Sequence, residues 1–99
     1  MKIIIGIPAF NEEKNIGEII ANLKKKYDYV LVCDDGSSDN TSKIASDMGA
    51  HVVKHSKNQG YGSAIKTIFN EAKKINCDIL VTFDADGQHQ ISEIDDILK

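Results

Sequence analysis

The 99-residue sequence predicts an α/β domain. The expected form is a three-layer, doubly wound βαβαβαβα with a mainly parallel sheet of strand order 3-2-1-4. Three observations carry this. Short apolar runs alternate with stretches whose apolar residues recur every three or four positions. The runs are apolar throughout rather than alternating, as strands are when helices cover both faces of a sheet. Right-handed crossovers of helical length then make neighbouring strands parallel.

The elements follow in order. Residues 2–7 are an Ile-rich strand stopped by Pro8, which has no N–H for a central ladder. From Asn11 the period changes, and Ile16, Ile19, Ile20 and Leu23 form one stripe of an amphipathic helix. Asn11 is the expected N-cap, Glu12 and Glu13 suit the positive helix end, and Lys24, Lys25 and Lys26 form a solvated opposite end. Residues 29–33 are a second strand, ending in the turn residues Asp34-Asp35-Gly36-Ser37-Ser38. A helix of about ten residues follows and closes at Gly49. Residues 51–54 are a short third strand, and 55–60 a polar loop. Ile65, Ile68, Phe69 and Ala72 then mark a third helical stripe. Residues 79–83 are the fourth strand, and a last helix turns Ile91, Ile94, Ile97 and Leu98 inward.

Composition narrows the function classes. A chain of this length builds one domain with one core. Its 41% hydrophobic and 27% charged residues exclude a disordered or fibrous chain. No apolar run is long enough to span a membrane, and the first residues do not read as a signal peptide. All 12 basic residues are lysine against 15 acids, a net charge of −3, so nucleic acid is not the expected partner. Without arginine, forked recognition of phosphate is unavailable, and neutralisation falls to lysine, backbone N–H groups or a metal. Cys33 and Cys77 lie in or beside apolar runs with no paired spacing, and are expected as reduced, mostly buried thiols of a cytoplasmic protein. His51 and His55 flank the short third strand and are expected at the surface.

Ligands of doubly wound sheets bind beyond the carboxyl ends of the strands where the winding reverses, here between strands 1 and 4. Strand 1 ends in Pro8-Ala9-Phe10-Asn11-Glu12, strand 2 in Asp34-Asp35 and strand 4 in Asp84-Ala85-Asp86, so five carboxylates converge on one edge. Like charges so close repel unless a cation lies among them. Residues i and i+2 of an extended segment share a side, so Asp84 and Asp86 can share one ion. Their hard oxygens suit Mg²⁺ or Mn²⁺, and Gln88 could add an oxygen or hold a metal-bound water. A calcium-binding EF loop fails at Gln88 and His89, and a dinucleotide fingerprint fails at Pro8-Ala9-Phe10. Gly60 and Gly62 permit close backbone approach, either to a ligand or to the sheet. Phe10 is either a core residue or, at this site, an aromatic platform on which a base can stack. His89 either packs at the start of the last helix or supports the metal ligands from behind.

IPAFNEE, CDDGSSDNT, NQGYGSAI and FDADGQH, in this order, resemble the nucleotide-sugar-binding half of family 2 glycosyltransferases with the GT-A fold. The similarity covers essentially the whole chain and points most to the dolichol- and polyprenyl-phosphate hexosyltransferases. It implies that residues 1–99 are the donor-binding part of a domain truncated after the DxD motif. Pro8, Phe10 and Glu12 would then line the base and ribose pocket, and Asp35 would contact base or ribose. Gly60, Gly62 and the Asp84-Ala85-Asp86 segment would face the donor. Asp84 and Asp86 would be the catalytic pair holding the metal, with Gln88 as a further metal-site residue. Many relatives carry lysine where this chain has Tyr61, so no cation stands at that position.

The resemblance implies metal-dependent, inverting transfer of a hexose from a UDP- or GDP-sugar, with polyprenyl or dolichyl phosphate as a candidate acceptor. The full protein would be cytoplasmic, or peripheral at the cytoplasmic membrane face. A homodimer could cover the exposed sheet edge. Two alternatives stay open: a nucleotide-binding module without turnover of its own, and a phosphatase-like or nucleotidyl-transferring α/β domain.

Overall fold

The computed structural model describes residues 2–84. Along the chain run β1 (Ile3–Ala9), α1 (Ile16–Lys24), β2 (Tyr29–Asp34), α2 (Thr41–Asp47), β3 (His51–Lys54), α3 (Tyr61–Lys74) and β4 (Ile79–Thr82). The sheet has the order β3-β2-β1-β4, and each of its pairings is parallel. The fold class expected from the sequence is therefore the one observed. The helix expected over residues 91–98 lies outside the described residues.

Strand alternation builds the layers. Ile5, Ile7, Val30 and Val32 point to one face, where they pack with Ile16, Ile20, Leu23 and Ala45 of α1 and α2. Ile4, Leu31 and Cys33 point to the other, against Ala64, Ile68 and Ala72 of α3. Both faces of the central strands are thus covered, which is why their sequences are apolar throughout. Full burial of one such Ile or Leu contributes about 1.5–3 kcal/mol, so β1 and its two helix layers dominate the core.

Several boundaries differ from expectation. β1 does not stop at Pro8; it runs to Ala9, with Pro8 beside Cys33 and Ala9 beside Asp34. The direction of the backbone groups explains this. Gly6 O accepts from Phe83 N on the β4 side, whereas Ala9 O accepts from Asp35 N on the β2 side. The missing N–H of Pro8 therefore falls on the β4 flank, where the paired register has already ended at Thr82.

Asn11 is not a helix cap. It takes a left-handed conformation, φ 52°, and its side-chain oxygen accepts from Ser38 N at 2.9 Å. Glu12 N is bonded to Thr41 Oγ1, so the backbone there is committed to a loop contact and α1 starts at Ile16. α2 is shorter than expected, seven residues, because Asp39 Oδ1 accepts from Thr41 N and fixes the start there. Its end is as expected, with Gly49 at φ 93°. Phe69 does not join the inward stripe of α3 but is 50% exposed, while Ile68 and Ala72 are buried. Cys33 and Cys77 are free thiols, the first buried and the second partly so. Among the described residues no helix is long and apolar enough to cross a membrane.

Candidate functional site

A cleft of about 480 Å³ opens at the carboxyl ends of β1, β2 and β4, beside the start of α3. Its walls include Pro8, Phe10, Glu12, Asp35, Gly60 and Asp84. Those residues were singled out from the sequence, and the fold brings them to one place. Ala85, Asp86, Gln88 and His89 lie outside the described residues. Asn58, Tyr61 and Ala64 also line the cleft, although sequence reasoning gave Asn58 and Ala64 no part in it. Gly60 has φ 103°, a conformation that favours glycine. A side chain at Gly62 would meet no described atom within 4 Å, so the sheet does not require glycine there.

The two acidic turn residues have separate surroundings. Asp34 is fully buried; Oδ1 accepts from Ser37 N at 2.9 Å, and Oδ2 accepts from the Ser42 hydroxyl. It fastens the turn to α2, and the convergence of five carboxylates expected from the sequence is corrected at this position. Asp35 is also buried but lines the cleft. Its Oδ1 accepts from Gln59 N at 2.9 Å and His55 Nδ1 at 2.8 Å, and its Oδ2 from Gly60 N at 2.8 Å.

Burial opposes the charge on Asp35, but the bonds from Gln59 N, His55 and Gly60 N outweigh it and hold the carboxyl below the ordinary aspartate value. A carboxyl depressed in the folded state adds stability above its unfolded pKa, lost as pH falls through the folded value. Urea unfolding at neutral and strongly acidic pH is expected to show a steeper acid loss for wild type than for Asp35→Asn. Equal acid losses would contradict the assignment.

His55 is not the surface residue expected. Its side chain is only 10% exposed and lies between Asp35 and Thr67. His51 is at the surface, paired with Glu71 at 2.9 Å. The Cys33 thiol is pushed up to about 11, by burial first and then by the Asp35 and Asp34 carboxylates, so it remains protonated and is no nucleophile.

The loops after β1 and β2 are laced together. Asn11 N donates to Ser37 Oγ at 2.8 Å, Glu12 N to Thr41 Oγ1 at 2.9 Å, and Asn40 N to Glu13 Oε2 at 3.1 Å. The NEE and DDGSSDNT segments are therefore one structural unit, which sets Phe10 and Glu12 on the cleft rim. Phe10 is 45% exposed, an apolar ring left available for stacking. Tyr61 Oη stands 3.5 Å from Asp84 Oδ1, at the outer limit of a hydrogen bond. Partial desolvation and that carboxylate push the Tyr61 hydroxyl above the usual tyrosine value, so it stays a neutral donor.

Residues 4–99 match the profile of Glycosyl transferase family 2. The chain belongs to glycosyltransferase family 2. It is 46% identical over 99 residues to an uncharacterized protein of Methanocaldococcus jannaschii, covering 99% of this chain and 41% of that protein. It is 37% identical to the UDP-N-acetylglucosamine–dolichyl-phosphate N-acetylglucosaminyltransferase of Methanococcus voltae, over 94% of this chain and 44% of the relative. The glucosyl-3-phosphoglycerate synthase of Mycobacterium tuberculosis, in complex with Mn²⁺, UDP-glucose and phosphoglyceric acid, superposes with a TM-score of 0.72 at 29% identity. That match covers 86% of this chain and 33% of the synthase. The chain thus spans less than half the length of these relatives.

Proposed function

We propose that this chain is the donor-binding part of a metal-dependent, inverting glycosyltransferase that takes a hexose from a UDP- or GDP-sugar. Polyprenyl or dolichyl phosphate is the proposed acceptor class, and the full protein is proposed to work in the cytoplasm or peripherally at the cytoplasmic face of a membrane. The observation that carries the reading is the cleft at the strand ends, with Phe10 on its rim, Asp35 in its wall and Asp84 at the end of β4. Its size suits a nucleotide, and its position at the reversal between β1 and β4 is where doubly wound sheets bind ligands.

The residues present fit a hard divalent cation. Asp84 lines the cleft, and Asp86 lies two positions on in sequence, with Gln88 beyond it. Asp84, Asp86 and Gln88 would hold Mg²⁺ or Mn²⁺, which supplies charge neutralisation for a diphosphate leaving group. The remaining work falls to the chain's own groups. Phe10 stacks on the base, Asp35 accepts from base or ribose, and Glu12 closes the pocket beside them. A phosphate acceptor is already an anion and needs no general base from these residues.

The M. voltae relative is named for a UDP-sugar donor and a dolichyl-phosphate acceptor, and the solved synthase holds Mn²⁺ with UDP-glucose; both support this reading. The acceptor site is assigned to the part of the domain that the longer relatives have and this chain does not span. The 99-residue chain is accordingly expected to bind donor and to transfer little.

Calorimetric titration of UDP and GDP, with and without Mn²⁺, tests the donor half. One of the two is expected to bind in a metal-dependent way. At a hundredfold excess over Kd it should stabilise the fold by about 2.7 kcal/mol, a shift visible in thermal unfolding. Absence of binding with metal present would overturn the proposal. Robust sugar transfer by the chain alone would overturn its restriction to donor binding, and release of phosphate from small phosphoesters would favour a phosphatase-like reading.

A further inference from the structure

The donor reading gives His55 no task, yet its ring is held at both nitrogens. Nδ1 is 2.8 Å from Asp35 Oδ1, Nε2 is 2.8 Å from Thr67 Oγ1, and Cys33 Sγ lies 3.7 Å from Nε2. The backbone places it there. His55 N donates to Asp34 O at 2.8 Å, continuing the β2–β3 ladder one step, so His55 comes beside Asp35 as both strands end. One ring therefore joins the end of β2, the loop after β3 and the face of α3.

The proton positions follow from the partners. An ionised carboxylate only accepts, so Nδ1 carries the hydrogen of that bond. In the neutral ring Nε2 is then an acceptor, and the Thr67 hydroxyl is a donor in reach. The protonated Cys33 thiol is a weaker second one. Asp35 thus fixes the proton on Nδ1, and the Thr67 hydroxyl, which can donate or accept, accommodates it.

A carboxylate offers about four lone-pair positions. At Asp35, His55 and Gln59 N occupy those of Oδ1, and Gly60 N takes one of Oδ2. Among the described residues this leaves Oδ2 with one acceptor position, on a residue that lines the cleft and whose side chain is 6% exposed. Fixing Oδ1 fixes the plane of the carboxylate, and so the direction of that last position.

We propose that His55 is a positioning residue for nucleoside recognition: held between Asp35 and Thr67, its Nδ1–H orients Asp35 so that Oδ2 accepts from a hydroxyl or N–H of the donor nucleoside. This rests on the reading of the cleft as a donor site. The affinity for the nucleoside, rather than for metal or diphosphate, is what the ring controls.

Asparagine and glutamine separate this role from simple filling of space. The amide N–H of asparagine falls near the place of Nδ1, whereas that of glutamine falls near Nε2. In Mn²⁺-containing titrations of UDP and GDP, His55→Asn is expected within about threefold of wild type. His55→Gln, lacking the bond to a charged acceptor, is expected about tenfold weaker. Equal affinities of the two variants beside a wild type that binds would overturn the positioning role alone. A wild type that binds neither nucleotide would overturn the donor reading, and this proposal with it. Nitrogen-15 shifts of the wild-type ring give a readout that needs no variant and no nucleotide: a hydrogen on Nδ1 is expected, and a ring carrying its hydrogen on Nε2 alone would overturn the proposal.

Discussion

Asp84→Ala is expected to weaken Mn²⁺-dependent nucleoside diphosphate binding by about a hundredfold or more while leaving the fold nearly as stable as wild type. The asymmetry comes from where the carboxylate stands. Asp84 is partly exposed at the mouth of the sheet, one residue beyond the bond from Phe83 N to Gly6 O. Loss of its side chain leaves that ladder intact, so the cost to stability should stay near about 0.5 kcal/mol. Its electrostatic contribution is larger. A unit charge pair at about 4 Å is worth about 4 kcal/mol at an effective dielectric of 20, and every 1.4 kcal/mol retained after solvation is tenfold in affinity. Calorimetry in Mn²⁺ and in a metal-free buffer separates the two parts. The metal-dependent increment should vanish in the variant, and an unchanged increment would show that Asp84 holds no cation.

Gly36→Ala is expected to be the most damaging single change to the fold near the site. Gly36 has φ 77°, and an added Cβ would stand 2.5 Å from Asn58 N and press on the backbone of Lys57. Nothing flexible is available to yield, because the obstructing atoms are main chain. The left-handed conformation alone costs an ordinary residue about 1–2 kcal/mol, and forced overpacking adds about 1–3 kcal/mol. At roughly 4–8 °C per kcal/mol for a domain of this size, the melting temperature should fall by roughly 8–40 °C. The same displacement moves Gln59 and Gly60 away from Asp35, so nucleotide affinity should fall with it. A variant that melts within about 3 °C of wild type, well under the shift for one kcal/mol, would show that the 55–60 loop yields easily.

Much of this was legible in the sequence because the signals are local or periodic. Apolar runs and helical stripes gave the sheet order, and the reversal point gave the cleft. The errors have physical causes. Pro8 was read as a stop because its lack of an N–H was weighed without the direction of the neighbouring backbone groups; on a flank where pairing has ended it costs the sheet nothing. Asn11 has the chemistry of a cap, but its side chain is committed to Ser38 in another loop, a contact no local pattern displays.

Asp34 and Asp35 could have been separated. The two-residue alternation that groups Asp84 with Asp86 also puts Asp34 on the side of Val32, toward α2, and Asp35 on the side of Cys33, toward α3. His55 was recoverable from register as well. Two parallel strands ending together bring the residues that follow them side by side, and those residues are Asp35 and His55. Asn58 is different: it reaches the cleft only through the path of the 55–60 loop, which packing against Gly36 determines.

The central claim is that the cleft at the carboxyl ends of β1, β2 and β4 binds the nucleotide of the donor. Amide chemical-shift mapping with Mg²⁺ and either UDP or GDP tests it most directly. The account predicts that the largest shifts fall on Phe10, Glu12, Asp35, Gly60, Tyr61 and Asp84. The smaller cleft at the opposite strand ends, lined by Lys2, Lys26 and Tyr29, should stay unperturbed. Shifts concentrated there, or none at either end with saturating nucleotide and metal, would contradict it.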